Sequence, residues 1–169
     1  IVHWPAVVKR ACVSDEIICT TDLLATCAEI LGVDLPASAG EDSVSHLSVL
    51  RGIKPESPLR EATVHHSFDG AFAIRRGKWK LVFDPGSGGW SYPSPFGDEE
   101  LLRNMPAIQL YNLITDAAEQ MNVYHKHPKV VEELMQLMES YVARGRSTPG
   151  VPQSNDGPTD FRSRFEEQN

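Results

Sequence analysis

The sequence is poor in cysteine, in positive charge and in long apolar runs, and each shortage excludes something. Three cysteines occur, Cys12, Cys19 and Cys27, and an odd number cannot close into a disulfide framework. None stands in a Cys-x-x-Cys pair or beside a pair of histidines, which argues against a zinc site. Whether Cys12 and Cys19 pair stays open on sequence alone. Cys27 falls on the apolar face of a predicted helix and is expected to pack as a small core hydrophobe. Lysine and arginine total 16 against 23 acidic residues, for a net charge of −7. That balance argues against nucleic acid as a main partner, because phosphate binding needs a basic surface. No stretch reaches the roughly 18 apolar residues of a membrane span, so none is expected. No signal peptide is expected at its start, and Ile1-Val2-His3-Trp4-Pro5, without an initiator Met, reads as if the chain begins inside a buried element of something larger.

What is present is an ordinary globular balance, 41% hydrophobic and 23% charged in 169 residues. This suits one domain, or one domain with part of another. Ile1 to Trp4 predicts a short strand ended by Pro5. Thr20, Thr21 and Asp22 offer capping oxygens to a helix whose Leu23, Leu24, Cys27, Ile30 and Leu31 share a face, with Gly32 as its left-handed stop. Ser43 to Arg51 is a second, shorter helical candidate ended by Gly52. The proline-containing connector 52–58 is the best internal boundary.

Beyond the connector the period changes from helical to two. Thr63 to Phe68 and Phe72 to Arg75 are joined across Asp69-Gly70, a strong hairpin signal. Arg76-Gly77 then turns the chain into Trp79 to Phe83, where Trp79, Leu81 and Phe83 alternate with Lys80 and Val82. A long insertion over 84–107 leads to a fourth strand at Ile108 to Leu113. Pro128 suits the first turn of a last helix. Its apolar face carries Val130, Val131, Leu134, Leu137, Met138, Tyr141 and Val142, a stripe wide enough to cover a sheet. Gly145 closes it, and from Ser147 the chain is rich in Pro, Ser and Gly. That tail is expected to be flexible or laid over a partner surface.

Several stretches, taken in order, carry a resemblance. They are I-V-H-W-P at 1–5, S-D-E-I-I-C-T-T-D-L-L-A-T at 14–26 and G-E-D-S-V-S at 40–45. V-H-H-S-F-D-G-A-F-A-I-R-R-G-K-W-K-L-V at 64–82, P-G-S-G-G-W-S at 85–91 and L-Y-N-L at 110–113 follow. Asp116, Glu119 and Asn122, then G-R-S-T-P-G at 145–150, complete the set. Together they resemble the C-terminal region of the formylglycine-dependent sulfatases, the arylsulfatase family of the alkaline-phosphatase-like superfamily.

The resemblance implies an α+β chain. Residues 1–58 would be the last strand and helices of a large α/β sulfatase domain. Residues 59–146 would be a small subdomain, a four-stranded antiparallel sheet packed on a C-terminal helix, and 147–169 the tail. It also implies chemistry that lies elsewhere. The family's nucleophile is a formylglycine made in a C/S-x-P-x-R motif, and its hydrated aldehyde attacks sulfur. Calcium and a clamp of Lys, Arg and His offset the sulfate charge. Here the cysteines stand in A-C-V-S-D, I-C-T-T-D and T-C-A-E-I, none of which fits that motif. Asn155-Asp156-Gly157 reverses the family's Asp-Asn order. No catalytic residue, metal ligand or bound cofactor is therefore assigned to these residues. Calcium and formylglycine are expected in the parent protein, and the segment alone is expected to be inactive.

The remaining candidates for the substrate cleft are His65, His66, Arg75 and Trp90. His65 and His66 are adjacent on a strand and must point to opposite faces, so at most one is expected to face a cleft. The bland alternative is one core histidine and one solvated. Arg75, Arg76, Lys78 and Lys80 form either a sulfate-binding cluster or a solvated hairpin edge protected by charge. Trp90 and Tyr92, in a glycine-rich loop without the Gly-Lys-Ser/Thr of a phosphate loop, would stack on a sugar or fill a gap between subdomains.

The resemblance implies a sulfated carbohydrate or aryl sulfate as substrate and the N-terminal catalytic part as partner. It implies a periplasmic or secreted parent, and self-association through apolar surface exposed in the lone segment. The competing readings are a non-catalytic module that binds sulfated glycans and, among hydrolases, a phosphodiesterase of the same superfamily.

Overall fold

The period of two between residues 63 and 112 folds as the meander it predicts. In the computed structural model, which describes residues 1–162, the strands are β1 (Thr63–His66), β2 (Phe72–Arg76), β3 (Trp79–Val82) and β4 (Gln109–Asn112), in the order β1-β2-β3-β4. β2 and β3 run antiparallel with Ile74 opposite Leu81, and β3 and β4 with Leu81 opposite Leu110. Alternation therefore puts Ile74, Leu81 and Leu110 on one face of the sheet, and all three are fully buried. The last long helix, Pro128–Arg144, buries Leu134, Met138 and Tyr141, spaced by one and two turns. Arg76, on the Ile74 face of β2, pairs with Glu133 of this helix at 2.5 Å, which identifies the covered face. The opposite face of the sheet carries Ala73, Arg75, Lys80, Val82, Gln109 and Tyr111.

The chain divides into two units. One comprises Ile1–Thr63 with Arg144–Ser154, the other Val64–Ala143 with the residues from Asn155 onward. These limits differ from the expected 1–58, 59–146 and 147–169. The reason is hydrogen bonding within the first unit. Thr148 donates from its backbone N–H and its Oγ1 to Glu41 O, at 3.1 and 2.6 Å. Arg146, 8% exposed, donates to Ala37 O, Val151 O and Thr148 O. Gly145, at φ 61°, ends the helix as predicted, and a Cβ there would lie 2.1 Å from Gln153 O. The expected flexible tail is thus tied down over these residues. Phe161 packs against Phe83 in the second unit, with centroids 4.8 Å apart. The part of the tail over 163–169 lies outside the described residues.

The first unit contains two helices, α1 (Asp22–Leu31) and α2 (Leu47–Leu50); the one in the 84–107 insertion is α3 (Glu99–Arg103), and the last is α4. Residues 1–4 form no strand; the Trp4 carbonyl instead accepts from Val7 N and Val8 N, at 2.9 and 2.7 Å, in a turn through Pro5. α2 is shorter than the predicted Ser43–Arg51 because residues 43–46 are engaged elsewhere. Ser43 Oγ accepts from Ala25 N, and Val44 N donates to Asp22 Oδ1. His46 N donates to Thr26 Oγ1. The same bonds turn α1 around. Its buried residues are Asp22, Thr26 and Ala28, while Leu23, Leu24, Ile30 and Leu31 are exposed. Cys27 is exposed too, and all three cysteines are free thiols. The expectation of a core Cys27 fails because polar partners decide which face of this helix turns inward.

Candidate functional site

The open face of the sheet borders a cavity of about 540 Å³ within the second unit. Each strand contributes by alternation: His65 from β1, Ala73 from β2, Lys80 and Val82 from β3, Gln109 and Tyr111 from β4. The glycine-rich loop after β3 and the segment around Glu119 complete the wall.

The polar groups are fixed by pairing. Lys80 Nζ lies 2.7 Å from both carboxylate oxygens of Glu119. Glu119 reaches this position with a positive φ of 56°, the left-handed region that a residue with a side chain rarely adopts. The turn around it is held by Asp116, whose carboxylate accepts from Gln120 N and Met121 N. Asn122 then stitches the chain back to β4: its Oδ1 accepts from Leu110 N and its Nδ2 donates to Ile108 O. The three polar residues of this sequence motif therefore shape one wall of the cavity. Tyr111 donates its hydroxyl to Gln109 Oε1, and Gln109 Nε2 donates to Asp84 O and Gly86 O at 2.6 and 3.0 Å.

Burial first, then the positive charges of Lys80 and Arg75 and the neighbouring His66, hold His65 below its ordinary value of 6.5, against a smaller opposing pull from Glu119. Its imidazole is neutral at pH 7 and offers one donor and one acceptor. Burial, with the charges of Glu119 and Asp116, raises Tyr111 above its ordinary 10, so it remains a protonated donor. The array is one ammonium, one carboxylate, an imidazole, a phenol and an amide. It is charge-balanced and hydrogen-bonds in both directions, which suits a polyhydroxyl ligand better than a bare dianion.

The candidates read from sequence are placed differently. His65 stands on the cavity face. His66 borders the cavity but packs its ring edge-on against Phe72, 6.0 Å between centroids, and Phe72 lies on the other face of β2. Arg75 stands opposite Lys80 in the ladder and donates from Nε to Gly77 O; it does not line the cavity. Arg76 pairs with Glu133, and Lys78 Nζ sits 5.4 Å from the centre of the Trp79 ring. Arg75 and Lys80 are thus cross-strand neighbours on the open face, whereas Arg76 turns to the helix-covered face. Trp90 lies outside the cavity wall and stacks on Phe68, centroids 4.2 Å apart.

Sequence reasoning passed over Glu119, Tyr111 and Gln109 as site residues. The available signal was the alternation of β4 opposite Lys80. The described residues include no group of three His, Cys, Asp or Glu side chains able to hold a metal. Asn155, of the Asn155-Asp156-Gly157 sequence, donates from Nδ2 to Val142 O. No helix among the described residues is long and apolar enough to cross a membrane.

A curated N-acetylgalactosamine-6-O-sulfatase of Bacteroides thetaiotaomicron is 35% identical over 144 residues, 85% of this chain and 27% of that protein. The chain belongs to the sulfatase family. A solved sulfatase from a glycosaminoglycan-metabolism locus of the same organism matches 70% of the chain and 24% of its own length, at 34% identity and a TM-score of 0.52. A second solved structure, a complex with its substrate D-glucosamine-2-N,6-O-disulfate, is 22% identical with a TM-score of 0.49, over 72% of this chain and 23% of that one. No protein-family model matches the chain. The chain spans about a quarter of the length of these relatives. The α+β fold with its four-stranded antiparallel sheet agrees with the resemblance, and neither named sulfatase supports the phosphodiesterase alternative.

Proposed function

We propose that this chain forms the C-terminal, substrate-selecting part of a sulfuric ester hydrolase that acts on a sulfated carbohydrate. The observation that carries this reading is the charge-balanced, hydrogen-bonding cavity on the open sheet face, in a chain 35% identical to a sulfatase named for an amino sugar. In this reading His65 hydrogen-bonds sugar hydroxyls, Gln109 and Tyr111 accept from them because their own hydrogens are committed within the wall, and Lys80 is positioned by Glu119. The sulfate charge and the bond cleavage belong to groups outside these residues. No Cys or Ser of the chain stands in a C/S-x-P-x-R motif, and formylglycine and calcium are expected in the catalytic part. That part would also cover the exposed leucines of α1, since an apolar stripe of this kind is a packing surface. The parent is expected to be periplasmic or secreted.

The test is sulfate release from N-acetylgalactosamine-6-sulfate. The longer protein that contains this chain, produced with a formylglycine-generating enzyme and calcium, is expected to turn over, and residues 1–169 alone are not. Turnover by the 169-residue chain, or none by the longer protein, contradicts the proposal. The non-catalytic glycan-binding alternative predicts saccharide binding without turnover by either.

A further inference from the structure

Beside the cavity is a cluster of rings that folding leaves uncovered. Phe68 and Trp90 are 71% and 73% exposed, although burying such side chains is ordinarily among the largest gains available to a fold. Their centroids are 4.2 Å apart, and Phe96 stands 6.1 Å from Trp90 and 6.3 Å from Phe68. All three rings belong to the sheet-bearing unit.

The cluster is held in place from below. Asp69 N donates to Gly88 O, and Ser94 Oγ donates to Gly89 O at 2.8 Å. Ser87 N donates to Pro93 O, and Ser87 Oγ to Ser91 O at 2.6 Å. Gly88, at φ 65°, lets the loop meet the β1–β2 hairpin, since a Cβ there would lie 2.3 Å from Ser67 Oγ. Rings braced in this way lose little freedom on binding. The cluster also runs directly into the polar cavity, because Ser67 and Ser91, the chain neighbours of Phe68 and Trp90, line it together with Gly88.

We propose that Phe68, Trp90 and Phe96 form a stacking platform for a second sugar ring of the same ligand, so that the site takes an oligosaccharide rather than a monosaccharide. This rests on the carbohydrate reading of the cavity. A pyranose has an apolar C–H face and a polar rim, and an apolar platform continuous with a hydrogen-bonding pocket matches both.

The experiment is ligand-observed NMR titration of the 169-residue chain with N-acetylgalactosamine-6-sulfate and with a chondroitin-6-sulfate tetrasaccharide. The tetrasaccharide is expected to bind at least fivefold more tightly. Trp90→Ala is expected to abolish that advantage while shifting monosaccharide affinity less than twofold, and Trp90→Phe to keep most of it. Equal binding of the two ligands by the wild-type chain, or a preference that survives Trp90→Ala, overturns the platform and leaves the cavity reading standing. Binding of neither saccharide overturns both. If Trp90→Ala instead disperses a self-associated species and leaves saccharide binding unchanged, the rings are a contact between copies and the inference falls.

Discussion

In the unit formed by residues 1–63 and 144–154 the fully buried large side chains include Leu47 and Asp22. The sheet-bearing unit buries Phe83, Ile74, Leu81, Leu102, Leu110 and Leu134 to the same degree. The second unit is organised by a hydrophobic core between sheet and helix. The first is organised by polar hubs. Asp22 accepts from Cys19 N and Val44 N and pairs with Arg60 at 3.1 Å, the two side chains 2% and 5% exposed. Asp42 accepts from Arg60 through its carbonyl and from Ser147 N through its carboxylate. A polar interior specifies one arrangement well but contributes little net burial energy. The apolar residues of α1 meanwhile face outward. The comparison teaches that the second unit holds its own core, whereas the first has an apolar face that its own residues leave uncovered.

The sharpest way to break this contrast is Asp22→Ala. It strands the buried Arg60 charge and orphans two backbone donors, with an expected cost of about 3–5 kcal/mol. Urea unfolding followed by hydrogen exchange of the α1 amides would show it, and a loss below about 1 kcal/mol would mean that the hub does not organise the unit.

Glu119 gives a smaller and more discriminating effect. Glu119→Ala removes the Lys80 pair and keeps a side chain at positive φ. Glu119→Gly removes the pair but relieves the backbone. The alanine variant is expected to lose about 1 kcal/mol and the glycine variant about 1 kcal/mol less than that. Equal losses in the two variants would deny that the turn is strained.

The pH response of the second unit depends on His65. Its folded value lies below its unfolded one, so the unfolded chain binds the proton first as pH falls below about 6.5. Stability is therefore fully present above that pH and declines as pH falls toward the depressed folded value. His65→Gln is expected to flatten this decline in thermal melts between pH 7 and 5; an unchanged slope would assign it to other groups.

The smallest effect is expected at Leu24 and Leu31, which are 50% and 75% exposed. Changing both to Asp should alter the stability of the 169-residue chain by only about 0.5 kcal/mol while reducing self-association in sedimentation velocity. A large loss of stability would show that the face is already covered.

The sheet was legible because its evidence is local. Period-two alternation, the Asp69-Gly70 turn and the stripe from Val130 to Val142 each lie within one element or between neighbours. Gly32, Gly52 and Gly145 end their helices where the sequence places them, since left-handed φ values favour glycine. The inward face of α1 was not legible, because it is decided by Arg60 and by residues 43–46, far along the chain. The same holds for Arg146, whose bond to Ala37 spans 109 residues, and for Lys80, which meets Glu119 39 residues away. His65 and Trp90 were found as residue types with suitable chemistry. Their separation, one in the cavity wall and one on a neighbouring ring cluster, required the fold.

The most direct measurement is kcat/KM of the longer protein carrying His65→Gln, on N-acetylgalactosamine-6-sulfate and on a small aryl sulfate. If the sheet face selects substrate, the sugar substrate loses at least tenfold and the aryl sulfate stays within twofold. Equal losses on both, or no loss on either, would contradict the claim that this cavity reads the carbohydrate.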